Sequence, residues 1–224
     1  MNAFWLSMRV AAWTTLLLVP LGVLLGRWLA ASRWRGRAWL EAALLLPLVL
    51  PPTVIGYYLL VTLAPNAPLG AALAAVVGQP LVFSFPGLVL ASVLVNLPFA
   101  VQPIQQAYAA LPPDLREAAA VSGLSPLAAF LAVELPLTWT GVFGAAALVF
   151  AHTLGEFGVV LMVGGNIDGV TRTLSIAIYD DVQAFDMGSA GLASLALVAF
   201  SLIALAAVRF AAARGERLTS GARR

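Results

Sequence analysis

Glu117-Ala118-Ala119-Ala120-Val121-Ser122-Gly123 separates two long apolar runs, and its residue types suit docking rather than catalysis. Glu117 offers a carboxylate to an arginine or backbone amide of a partner. Ala118, Ala119 and Ala120 make a face small enough for close approach. Upstream, Pro112-Pro113-Asp114 signals a helix start, with Asp114 placed to accept hydrogen bonds from first-turn amides. Gly123 supplies the left-handed residue that stops the helix. Ser125 then caps a second helix with Pro126 at its first position. The expected product is two short helices meeting at a glycine corner, and the alternative is a plain loop whose alanines merely favour helix.

A second group surrounds Glu156, which sits near the end of an apolar run between Gly155 and Gly158. An ionisable group at such a place is a functional candidate. A carboxylate repels an anion, so the expected role is to accept from backbone amides, or to meet Arg172, as part of a gate. His152, the single histidine, lies one helical turn earlier, within reach of Glu156. A satisfied buried histidine is the ordinary reading, a proton relay the other. Pro47, Pro51 and Pro52 fall within six residues and are followed by Thr53 and Gly56. They break the hydrogen-bond ladder inside an apolar run, which is tolerable only against protein or a water-filled path. A kinked, pathway-lining helix is expected, with a packing kink as the bland alternative. Glu41 and Glu134 stand where helix N-termini favour a negative charge, and no function is needed for them.

No enzyme site assembles from the remaining residues. The chain has one histidine, no cysteine and no lysine among its 12 basic residues. Thiol chemistry, cysteine metal sites and multi-histidine centres are therefore excluded. A nucleotide-binding loop of the Walker type is excluded too, because it needs a lysine on the phosphates. Ser7, Ser84 and Ser92 have no evident base. Nothing forms the aromatic and basic stripe of a nucleic-acid surface.

These residues require a membrane to position them. Of 224 residues 62% are hydrophobic and 10% charged, with a mean hydropathy of +0.97, more apolar surface than a soluble domain of this size hides. Five runs of about 20 residues reach across a bilayer: 10–29, 42–63, 87–108, 135–154 and 190–210. The first is expected to be retained rather than cleaved, since it is long and arginines follow it at once. Arg27, Arg33, Arg35, Arg37, Arg116 and the arginines of the tail then share one face. By the positive-inside rule that face is cytoplasmic and the N-terminus lies outside. The connection 109–134, with the Glu117 helix, falls on the cytoplasmic side. Segment 159–164 is too short to be a sixth span. The expected fold is an all-α integral membrane protein forming one transmembrane unit over 1–224.

Glu117, Ala118, Ala119, Gly123, Val133, Leu135 and Pro136 keep the order and spacing of the signature loop of ABC-importer permease subunits, which the chain resembles. That resemblance implies the five-span, type I permease fold, with the loop through Ala120, Ser125 and Pro126 seated in a groove of a cytoplasmic ATPase. Leu46 to Tyr57, Leu154 to Gly158, Gly165-Asn166-Ile167 and Thr171 to Tyr179 are similar to stretches of molybdate permeases, and sulfate permeases share much of this pattern. The resemblance implies a homodimer embedded in lipid, an ATPase pair that binds the ATP and magnesium, and an extracytoplasmic oxyanion-binding protein. Molybdate is the expected cargo. Tungstate, sulfate or thiosulfate transport remains the alternative, as does a secondary transporter independent of ATP.

Overall fold

The computed structural model describes residues 3–221, and every regular element among them is helical. Helix α1 covers Ala3–Ala31, α5 covers Phe85–Ala109, α8 covers Leu135–Gly155 and α11 covers Met187–Gly221. At 1.5 Å per residue even the 21-residue α8 extends about 31 Å, the depth of a hydrocarbon core. The run 42–63 is not one helix. It is divided into α2, Arg37–Val49, and α3, Pro52–Thr62, which meet at 109°. The bend is sharper than the expected kink, for a local reason. A residue before proline is driven out of the helical region, and here two such residues follow each other. Leu50 (φ −75°, ψ 142°) and Pro51 (φ −57°, ψ 135°) are both extended.

Four long helices and one bent pair give up to five crossings. Helices α1, α5 and α8 pack on one another and bury most of the core. Glycines allow the closest approach. A Cβ on Gly22 would lie 3.1 Å from that of Ala100, and one on Gly26 would lie 2.9 Å from the Gln105 backbone nitrogen. Small residues four apart are a common membrane solution, since lipid supplies little hydrophobic drive between helices. Lipid-facing surface is correspondingly apolar: Trp39, Leu192 and Ile203 are exposed.

Short helices fill the connections. The connection after α3 forms α4, Pro68–Val77. The two helices of the polar loop are α6, Leu115–Val121, and α7, Pro126–Ala129. Segment 159–164 lies in α9, Gly158–Gly164, whose seven residues are too few to span a membrane and whose Val159, Val160 and Val163 are buried. Helix α10, Leu174–Gln183, packs on α11.

Candidate functional site: a docking stub and a proline corner

The polar loop forms the expected corner. Gly123 has φ +77°, a conformation that glycine adopts without strain. The Ser125 hydroxyl accepts from the Ala128 amide at 3.2 Å, with Pro126 at the first helical position. Asp114 does not act as expected: it adopts a helical conformation and makes no side-chain cap bond. Glu117, Ala118 and Ala120 are exposed, whereas Ala119 is buried. The surface is also more apolar than its alanines suggested. Val121 is 90% exposed, and Leu124, Leu127 and Leu131 are exposed beside it. Large apolar residues on a protruding polar loop indicate an interface.

The loop connects rigidly to the membrane body. Helix α7 continues through a π-helical turn, Phe130–Glu134, directly into α8. π-turns are rare and recur at functional positions. Glu134 in this turn is 2% exposed, and its two oxygens accept from Arg27 Nε (2.6 Å) and Nη2 (3.0 Å). The guanidinium also lies 5.1 Å from the centre of the Phe130 ring. In the sequence, Arg27 and Glu134 each carry only a charge-placement signal. The structure brings them together across 107 positions, and no spacing rule could have found that pair. Leu135 is half-buried and packs on the Ile104 and Tyr108 cluster, while Pro136 is exposed in the first turn of α8. These two belong to the seam between loop and span, away from the docking surface.

Glu156 behaves as a chain-end cap. Its Oε1 accepts from the Val159 amide at 3.1 Å, and its backbone carbonyl accepts from the Ser175 hydroxyl at 2.6 Å, which ties α10 to the break. Arg172 instead pairs with Asp180 at 2.9 Å. His152 bonds Asn96 at 3.1 Å rather than Glu156.

Pro47, Pro52, His152 and Glu156 line one cavity of about 190 Å³ at the α2–α3 corner. Gly56 and Gly158 lie at the α3–α9 contact. A Cβ on Gly56 would fall 2.6 Å from that of Met162, and one on Gly158 would fall 2.8 Å from that of Pro52. Pro51 and Thr53 are exposed, and no side chain crowds Gly155. The corner thus gathers part of the expected gate and leaves Pro51, Thr53 and Gly155 at its edge.

A protruding helix corner welded to a bundle of membrane helices, with a cavity holding a histidine and a carboxylate at a broken span, defines a transport permease. The chain belongs to the family described as the binding-protein-dependent transport system inner membrane component, whose pattern matches residues 19–217. Members of that family are the transmembrane subunits of ABC importers. It is 45% identical over 188 residues to the molybdenum transport system permease protein ModB of Azotobacter vinelandii, covering 84% of this chain and 83% of that one. Identity to the Escherichia coli K12 protein of the same name is 36%, covering 87% and 84%. A protein of Chlorella vulgaris described as a probable sulfate transport permease is 30% identical, over 83% and 69%. The fold is shared with a bacterial ABC transporter involved in import of the polysaccharide alginate, at TM-score 0.65 and 17% identity, over 98% of this chain and 81% of that one.

Proposed function

We propose that this chain is the permease subunit of an ATP-driven importer of molybdate, acting as a homodimer with the path between its two copies. ATP and magnesium bind to a separate pair of cytoplasmic ATPase subunits, since this chain has no lysine for a nucleotide loop. An extracytoplasmic oxyanion-binding protein delivers the cargo to the outer connections. The observation that carries the motor coupling is the exposed α6–Gly123–α7 corner, continuous through the π-turn with α8. A groove of the ATPase receives Glu117, Ala118, Ala120 and Val121. Closure of the ATPase pair then draws both corners together, and Ser125-Pro126 passes the movement to α8. Arg27 carries part of it to α1 through Glu134.

The choice of molybdate rests on 45% identity to a molybdenum permease across most of both chains. The 30% identity to a sulfate permease keeps sulfate as the second reading, with tungstate the nearest chemical analogue of molybdate. Competition decides between them. In cells lacking this chain and restored with it, excess tungstate should suppress labelled molybdate uptake, and excess sulfate should leave it nearly unchanged. Strong suppression by sulfate would reassign the cargo. Failure of any ATPase to copurify with the chain would remove the importer reading altogether.

A further inference from the structure

The pair formed by half-buried His152 and buried Asn96 has a hydrogen-bond logic that leaves one edge of the imidazole unused. The Asn96 amide Nδ2 donates to the Ser92 carbonyl at 2.8 Å. A carbonyl only accepts, so this bond fixes the orientation of the amide and turns Oδ1 toward His152 Nδ1, 3.1 Å away. Oδ1 also only accepts, so Nδ1 must carry the proton. In the neutral ring Nε2 is then a bare acceptor, and protonation converts it into a charged donor. Asn96 is fully buried, and the Phe99 ring lies 4.2 Å from the imidazole centroid at 31°, so the ring is held from two sides.

The imidazole lines the cavity at the α2–α3 corner together with Glu156, and the remaining walls are proline, aliphatic and Phe99 side chains. We infer that the Nε2 edge of His152 is a contact for the tetrahedral oxyanion as it passes this corner, and that the protonated ring is the form that holds it. Glu156 does not compete for this role, because its carboxylate is engaged with the Val159 amide. Its carboxylate lies in the same cavity and offsets the charge of the ring once the ring is protonated. Among the described residues lining the cavity, Glu156 is the other titratable group. Helix α5 presents Val95 and Phe99, and α2, α3 and the bend between them present proline and aliphatic side chains. From α1, Arg9 is turned onto the Phe85 ring. A single protonatable donor, neutralised by a nearby carboxylate, gives the weak attraction that a path needs if the anion is to leave again. This inference rests on the importer reading and names the group on the path that meets the cargo.

The test uses the complete complex in proteoliposomes with binding protein, comparing wild type, H152Q and H152R between about pH 5 and pH 8. Molybdate uptake by wild type should rise several-fold toward the acid end. H152Q keeps a polar group but no charge, and should lose roughly tenfold at the acid end with a flat profile. H152R keeps a permanent charge and should transport with a flat profile. Identical rates and profiles for wild type and H152Q overturn the inference. Should H152R not assemble, H152Q decides together with a direct probe. Isotope-labelled histidine in this chain alone, which contains a single histidine, gives one Nε2 signal by NMR in the complex. That signal should move on adding molybdate, and an unmoved signal with molybdate, tungstate and sulfate alike overturns the proposal. A wild-type complex without uptake of any of the three rejects the importer reading instead, and the NMR signal still decides on His152.

Discussion

Glu134 is almost entirely withdrawn from solvent, with 3% of its side chain exposed, whereas its partner Arg27 keeps 36%. The asymmetry determines what each substitution does. Removing the arginine leaves a charge buried in a helix junction, which costs on the order of 3 kcal/mol. Removing both charges avoids that penalty. Thus R27M should lower the thermal unfolding temperature of the purified complex by several degrees, and R27M/E134Q should recover most of the loss. A single mutant that melts with wild type would show that the pair adds nothing to stability. Recovery of the fold in the double mutant without recovery of uptake would point to a role in transmission. The sequence carried each residue's charge but not their meeting, because ion pairs between helices depend on register that neither helix contains by itself. Glu156 was more legible. Its flanking glycines marked a chain break, and a carboxylate at such a break finds the amides that the break exposes, as its bond to Val159 demonstrates.

Proline and glycine made the elements readable in outline. The corner at Gly123 and the cap at Ser125 follow from rules that act within four residues, and the structure obeys them. The bend at Pro51-Pro52 was readable in position but not in size, since 109° comes from two consecutive extended residues and from α9 packing behind Gly56. The π-turn left no signal in composition, because Phe-Leu-Ala-Val-Glu would serve equally well as α-helix. The apolar rim of the stub is present in the sequence as Val121, Leu124, Leu127 and Leu131, but it has no periodicity that separates it from the neighbouring alanines. It gives the sharper experiment. V121E places a charge on a residue that is 90% exposed and supports no internal packing, so the chain should still insert and assemble as a dimer. ATPase recovered with it on purification should fall at least tenfold. G123V acts differently: a β-branched residue at φ +77° is strained by about 1–2 kcal/mol, so the corner should distort. ATPase hydrolysis should then continue while uptake is lost. Equal uptake by G123V and wild type would remove the corner from the mechanism.

At the scale of the whole molecule the decisive matter is which end of the bundle faces the motor. Arg27, Arg33, Arg35 and Arg37 flank the end of α1 and the start of α2, the same end from which α6 and α7 protrude. Translocation retains arginine-rich connections in the cytoplasm, so the stub and the C-terminal end of α11 should lie inside and the start of α1 outside. The orientation follows from charge placement plus an odd number of crossings. It therefore stands or falls with reading the bent α2–α3 pair as one crossing. If that pair instead entered and left on one side, the chain would cross four times. The arginine-bearing link between α1 and α2 would then lie on the opposite side from the stub, whereas Asn66 and the stub are separated by α5 in either case. The native chain has no cysteine, so single cysteines report without background. R33C lies in the exposed link between α1 and α2, N66C in that between α3 and α4, and L124C beside the corner. A membrane-impermeant maleimide should label N66C in spheroplasts and reach R33C and L124C only after permeabilisation. Labelling of R33C and L124C from opposite sides would mean that the pair re-enters, and labelling of both from outside, with N66C protected, would invert the bundle. Either result would separate the stub from any cytoplasmic ATPase or place the proline corner off the path, because the coupling needs the two on opposite halves of the same membrane helices.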